Sequence, residues 1–174
     1  LEELYIDDTV AGDDALGLIA KFPQLHRLYC SRTLITDIGL AAIASIPDLT
    51  HLEFDGTKTT DKGLVHIARV EGLRRLSCKE TGITDEGLRK LAGHKNLRQL
   101  RLNGTKITSE GVKVLATIPQ LDILDLDNIP LDSSVVASLG KMTNLRRLSL
   151  EGCKLDASAL QSLRKALPQC EITP

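Results

Sequence analysis

Rows of 24 residues, beginning at Leu1, Leu25, Leu49, Leu73, Leu97, Leu121 and Leu145, stack so that the same chemical type recurs at the same place in nearly every row. Each row opens with the apolar spacing LxxLxL, as in Leu25, Leu28 and Cys30 or Leu97, Leu100 and Leu102. A fixed period of this length is the signature of a solenoid, whose units bury their apolar faces only against their neighbours. The period fixes the architecture and constrains the function, because a solenoid generates a surface and its partner is written in the least regular positions.

Within a row, Leu28 and Cys30 alternate with Arg27, Tyr29 and Ser31, a period of two that predicts a short strand with one face inward. Thr33 and Ile35 then turn the chain. Leu40, Ile43 and Ala44 follow at helical spacing and give one apolar stripe. Thr36 is the natural N-cap, Asp37 adds a favourable charge at the helix start, and Pro47 stops the helix. The same reading covers TTDKGL at 59–64, ITDEGL at 83–88 and ITSEGV at 107–112. Gly39, Gly63, Gly87 and Gly111 fall three residues after the Thr cap. Glycine costs roughly 1 kcal/mol against Ala in a helix, so close approach of neighbouring helices is expected there. Identical strands stacked one per row must run parallel, with the wider helices on the other side, so the sheet is expected to line the inside of a curve.

The combination LxxLxLxxT followed by ITDxGLxxLA resembles the leucine-rich repeat, in the short cysteine-containing type found in F-box substrate adaptors and in many bacterial proteins. The fullest copy is LRRLSCKETGITDEGLRKLAGHKN at 73–96. The resemblance implies a right-handed α/β horseshoe, with a parallel sheet on the concave face and short helices on the convex face. It also implies that Thr9, Thr33, Thr57, Thr81 and Thr105 turn inward to satisfy backbone groups between rows, and that the concave face binds a protein or peptide. Ile129 and Cys153 replace that Thr in the last rows, Pro130 follows Ile129, and LDSSVV and LDASAL lack the TDxG element. Residues 1–174 thus read as one repeat domain with a truncated last strand at about 167–174 and a C-terminal cap. No matching cap precedes Leu1, which would leave Leu1, Leu4 and Ile6 at an open sheet edge. The pattern begins without an initiating Met or a signal peptide, which reads as a processed product or a piece of something longer.

With no Trp, two Tyr and two Phe, the core is expected to consist almost entirely of Leu, Ile, Val and Ala. Cys30 and Cys78 take the sixth slot, where Leu or Ile is expected elsewhere, and Cys170 an inward slot of the last strand. Two rows at ~4.8 Å per strand separate Cys30 from Cys78 by ~10 Å, beyond the roughly 7 Å reach of a disulfide. Four free, buried thiols are expected, which favours a reducing compartment such as the cytoplasm. A net charge of −1 and a pI near 6.5 provide no field for nucleic acid. No run approaches the ~18 apolar residues of a membrane span. The chain is expected to be a monomer that binds neither nucleic acid nor membrane.

The outward slots of each strand, the third, fifth and seventh, are expected to be free of packing duty. The candidate partner-binding residues are Tyr5, Arg27, Tyr29, His51, Glu53, Asp55, Arg75, Lys79, Arg101, Asp125, Asp127 and Arg147. Charge is segregated among these slots. The second and third slots hold Arg27, Arg74, Arg75, Arg98, Arg146 and Arg147, against Glu2, Glu3 and Asp122. The seventh and eighth hold Asp7, Asp8, Asp55, Glu80, Asp127 and Glu151, against Arg32 and Lys79. This predicts one basic and one acidic rim, with Tyr5 and Tyr29 side by side as an aromatic anchor.

HLEFD places His51, Glu53 and Asp55 on one strand face, but alternate positions lie ~6.6 to 6.8 Å apart and Arg75 and Lys79 adjoin them. Cross-strand ion pairs explain the cluster better than a metal. His26, His66 and His94 fall on outer or helix slots. There is no GxSxG, phosphate loop or HExxH, and no exposed Cys beside a His, so neither catalysis nor a cofactor is expected. The function expected is a protein-interaction module, with a structural spacer or targeting domain of a larger protein as the alternative.

Overall fold

The computed structural model describes residues 1–174. Eight three-residue strands form one parallel sheet in chain order. They are β1 (Glu3–Tyr5), β2 (Arg27–Tyr29), β3 (His51–Glu53), β4 (Arg75–Ser77), β5 (Gln99–Arg101), β6 (Ile123–Asp125), β7 (Arg147–Ser149) and β8 (Glu171–Thr173). The helices between them are α1 (Asp13–Ile19), α2 (Asp37–Ile43), α3 (Asp61–Ile67), α4 (Asp85–Lys90), α5 (Ser109–Leu115), α6 (Val136–Leu139) and α7 (Ala157–Ala166). Register steps by 24 at each pairing, as in Leu4 to Leu28 and Leu28 to Leu52, so every strand leucine stacks on its equivalent. The sheet lines the concave side and the helices the convex side.

The leucines of each row merge with the helix stripes into a single core cluster of 41 buried residues. Phe54 departs from the all-aliphatic expectation: it fills the sixth slot of its row and is fully buried. Its neighbours in that slot are Cys30 and Cys78, two of the smaller apolar side chains, so a large residue is accommodated between two small ones. Those two thiols are buried, whereas Cys153 and Cys170 are only half-buried, correcting the expectation of four buried thiols; all four are free. Cys170 also precedes β8 rather than filling an inward slot of it. His94 is corrected too. It is buried, with Nε2 3.2 Å from the Val70 carbonyl, in a slot that Ile46, Val70, Ile118 and Met142 occupy in other rows.

The ninth-slot threonines act within their own row. Thr33, Thr57 and Thr81 each donate to the carbonyl three residues earlier at 2.7 Å, and Thr105 at 2.6 Å, closing the turn after the strand. On the helical side, the side-chain bonds that join one row to the next come instead from the aspartate that begins each of α1 to α4. Asp37 caps its own helix only by charge, because its carboxylate reaches into the following row. There it accepts from Thr60 N–H and Thr60 Oγ1, both at 2.7 Å, and from Gly63 N–H at 2.9 Å. Asp13 does the same for Thr36 and Gly39. Asp61 and Asp85 hold Thr84 and Thr108 in the same way. The Thr hydroxyl is thereby oriented to accept from the helix amide two residues on, as Thr36 does from Ile38 at 3.3 Å.

This bridge gives the in-register glycines their physical reason. A Cβ on Gly39 would stand 2.6 Å from Asp13 Oδ1, and one on Gly63 2.7 Å from Asp37 Oδ1. Gly87 and Gly111 face Asp61 and Asp85 more tightly still. Where the aspartate is lost the glycine goes with it. Ser109 and Ser133 take the aspartate slot, and 26 residues later stand Val135 and Ala159. Ser109 Oγ accepts only the Asp132 amide, at 3.0 Å, and the sixth row has a 3₁₀ turn at Ser133–Val135 with a four-residue α6 in place of a full helix. Asp156 restarts a capped helix, α7, the longest of the chain.

Substituting Gly87→Ala is expected to destabilise the protein by about 1–3 kcal/mol through overpacking. Asp61→Ser in the same chain should relieve part of that cost, so a urea-denaturation double-mutant cycle gives a coupling of about 1 kcal/mol; strict additivity would remove the proposed clash.

Candidate functional site

The strand side chains that point away from the core stand in three columns, but they are not equally free. In the seventh-slot column three of the four acids, Asp7, Asp55 and Asp127, are internal fastenings. Asp7 Oδ1 accepts from Ser31 N–H at 2.8 Å, and Asp55 Oδ1 accepts from Lys79 N–H at 2.8 Å and Ser77 Oγ at 2.7 Å. Asp127 accepts from Glu151 N–H, Ser149 Oγ and Asn103 Nδ2 at 2.9, 2.6 and 2.7 Å. Asp55 is buried, as are Ser31, Ser77 and Gln99. The expectation that outward slots are free of packing duty is therefore corrected: strands of three residues leave backbone amides at their C-terminal ends, and these acids satisfy them.

The fifth-slot column carries the aromatic pair and the central ion-pair network. The rings of Tyr5 and Tyr29 stack with centroids 4.4 Å apart, and Tyr5 is 63% exposed. Tyr5 Oη donates to Glu3 Oε2 at 2.9 Å, which together with the charge of Glu3 pushes the phenol up to about 12. Glu3 also receives Arg27 at 2.6 Å, so aromatic pair and ion pair form one unit across β1 and β2. Further along, Arg101 lies 3.2 Å from Asp125 and 3.9 Å from Glu53, bridging β3 to β6 over the small Ser77. Burial holds both carboxyls above the ordinary range, and Arg101 opposes it. Lys79 pairs with Asp55 at 3.2 Å and Arg147 with Glu171 at 3.6 Å.

The third-slot column opens onto a groove along the N-terminal ends of the strands. It consists of three shallow cavities of about 390, 330 and 280 Å³. The first two share His51 and Arg74, and the last two share Arg98 and Asp122, so the depression is continuous. Arg75 Nε donates to Gln99 Oε1 at 2.6 Å. Thr50 Oγ1 donates its one proton to the His26 carbonyl at 3.0 Å, so it accepts at its 2.8 Å contact with His51 Nδ1. Neutral His51 therefore carries its proton on Nδ1 and turns Nε2 outward. Burial and the charges of Arg75, Arg27 and Arg74 hold the His51 imidazole below its ordinary value.

His51, Glu53 and Asp55 do not converge on one point, and no three metal-ligating side chains come together anywhere in the chain. The second-slot residues Arg74, Arg98 and Arg146 line the groove beside the predicted third-slot residues. They belong with the site, and their signal was the adjacency of the second and third slots in every row. Burial pushes the Cys30 and Cys78 thiols far up, so neither supplies a thiolate.

Repeat, sheet and motif together give the chain a leucine-rich repeat fold. The Leucine Rich repeat family model matches residues 93–116, the length of one row. A leucine-rich repeat protein of Leptospira interrogans is 22% identical with a TM-score of 0.68, over 90% of this chain and 38% of its own. An internalin from Listeria monocytogenes, inlF, is 23% identical with a TM-score of 0.72, over 99% of this chain and 54% of its own. Internalin C2 from the same species is 25% identical with a TM-score of 0.72, over 98% of this chain and 69% of its own. The chain thus spans well under two thirds of the first two of these proteins. No curated protein sequence matches it.

Replacing Asp55 with Ala strands the Lys79 amide and the Ser77 hydroxyl and is expected to cost about 1–3 kcal/mol. Arg101→Ala, which removes partly buried ion pairs but no backbone bond, should cost less, about 1 kcal/mol. Chemical denaturation compares them, and equal costs would contradict the distinction between fastening and free residues. An NMR pH titration should place His51 below 6.5, and Arg75→Gln should move it upward by removing the cation that lowers it most; a titration at or above that value would count against the buried, cation-flanked setting.

Proposed function

We propose that the chain is a protein-binding module that recognises a protein or peptide partner with its concave sheet face, and that it has no catalytic role of its own. The observation that carries this reading is the exposed Tyr5–Tyr29 stack, fixed at 4.4 Å beside the Glu3–Arg27 pair on the face where row-to-row chemistry varies most. Stacked tyrosines are rigid amphipathic contact area that costs little entropy to dock. Elsewhere on the face Arg101, Glu53, Asp125 and Arg147 are held by lateral pairs, which leaves charge in fixed positions for a complementary surface. Leucine-rich repeat proteins are in general binding scaffolds, and the internalin and Leptospira neighbours share that fold.

A photoreactive amino acid at Tyr29, His51 or Arg101 tests the reading against the same group at the convex positions Lys62 and Lys113. In an extract of the source organism, discrete crosslinked adducts are expected from the concave positions alone. Adducts only from the convex positions, or equal yields from both sides, would overturn the assignment of the face.

A further inference from the structure

Most cations on the sheet face are already spent on neighbours, yet one cluster is not. Arg27, Lys79, Arg101 and Arg147 each have a carboxylate at 2.6 to 3.6 Å. Arg74, Arg75 and Arg146, all exposed, have none within 4.0 Å, and Arg98 has only Asp122 at 3.8 Å. Placing like charges side by side on adjacent strands is unfavourable in the free protein, and the structure adds supports that hold them there. Gln99, 6% exposed, grips Arg75 through Nε at 2.6 Å and leaves its terminal N–H groups free. Thr50 fixes His51 with Nε2 outward beside them.

We propose that the groove over β2 to β7 is the docking site of an extended acidic peptide segment whose carboxylates are taken by Arg74, Arg75, Arg98 and Arg146. The inference deepens the reading of the concave face as a protein-binding surface and rests on it. Dimensions fit: five strand steps at ~4.8 Å span ~24 Å, which matches about seven extended residues at ~3.3 Å each. The carboxylates of alternate peptide residues repeat at ~6.6 Å, within reach of long, flexible arginines standing one or two rows apart. Charge also selects against a broad polyanion. The far rim of the same face carries Asp7, Asp55, Asp127 and Glu151, about four residues along each strand, or ~13 Å away. A nucleic acid or an anionic membrane lying across the sheet would press phosphates against that rim, whereas a single peptide strand lies within the basic strip. A carboxylate seated between Arg74 and Arg75 also offsets part of the positive field on His51, whose imidazole is held low by burial and by the charges of Arg75, Arg27 and Arg74.

The test uses the full chain, a fluorescein-labelled peptide of alternating Glu and Ser over eight positions, its Gln-for-Glu twin, and oligo(dT) of matched charge. The Glu peptide is expected to bind, weaken as salt rises, and lose roughly tenfold in affinity with Arg74→Glu/Arg75→Glu. Convex Lys113→Glu should leave its binding unchanged, and peptide saturation should move the His51 titration upward. Equal binding of the Gln twin, indifference to the arginine reversals, or tighter binding of oligo(dT) through the same arginines would overturn the proposal. Concave crosslinks that survive high salt and the arginine reversals would refute the acidic peptide while leaving the binding face standing; absence of concave crosslinks would refute both.

Discussion

One carboxylate in each of the first four rows holds this solenoid together along the helical side. In α1 to α4 the first-residue Asp bonds not within its own helix but to the next row, where its carboxylate meets a Thr amide, the Thr hydroxyl and, for the first two rows, a Gly amide. The Asp therefore satisfies helix-start donors that a short helix cannot satisfy internally. It also orients the Thr that caps the helix. Because these charge-assisted bonds are made at half-buried positions, they specify the offset between rows more sharply than leucine packing alone. The requirement for Gly follows from the same geometry, since only a residue without Cβ lets the carboxylate come this close.

The sheet side repeats the device with different residues. Asp7, Asp55 and Asp127 take the amides at the C-terminal ends of the next strands, again one row ahead. Both sides of the solenoid are thus laced by acids reaching forward along the chain. This leaves the middle and the N-terminal ends of the strands as the surface with freedom to vary. In such a nearest-neighbour architecture, changes there leave the stacking intact.

That division accounts for the electrostatics of the concave wall. A net charge of −1 conceals an acidic margin consumed by structure and a basic margin that is only partly neutralised. Three of the carboxylates at the acidic rim, Asp7, Asp55 and Asp127, are occupied by amides and hydroxyls, while Arg74, Arg75 and Arg146 have no carboxylate partner. The proposed recognition on this face accordingly rests on the free arginines, the tyrosine stack and the Arg101 network rather than on the full set of charged outward slots.

Much of the fold was legible because the repeat exposes each slot seven times. Strand positions, the Thr caps, the parallel order and the degeneration of the last rows follow from period and side-chain type alone. The pairing of Asp with the Gly 26 residues later was also present in the sequence, including its joint loss at Ser109 and Val135, but its cause is a contact between rows that spacing does not reveal. The sequence likewise offered Phe54, His94 and Asp55 as residues of their types; burial decided that the first fills a gap between two cysteines, that the second is enclosed, and that the third is a fastening rather than a free charge. The sequence by itself thus determined which strand and helix-stripe apolar residues of the regular rows face inward, because alternation and helical spacing are properties of a single chain segment. Only the tertiary structure decided which outward residues are already bonded, because those bonds join atoms one row apart and depend on distances of a few tenths of an ångström.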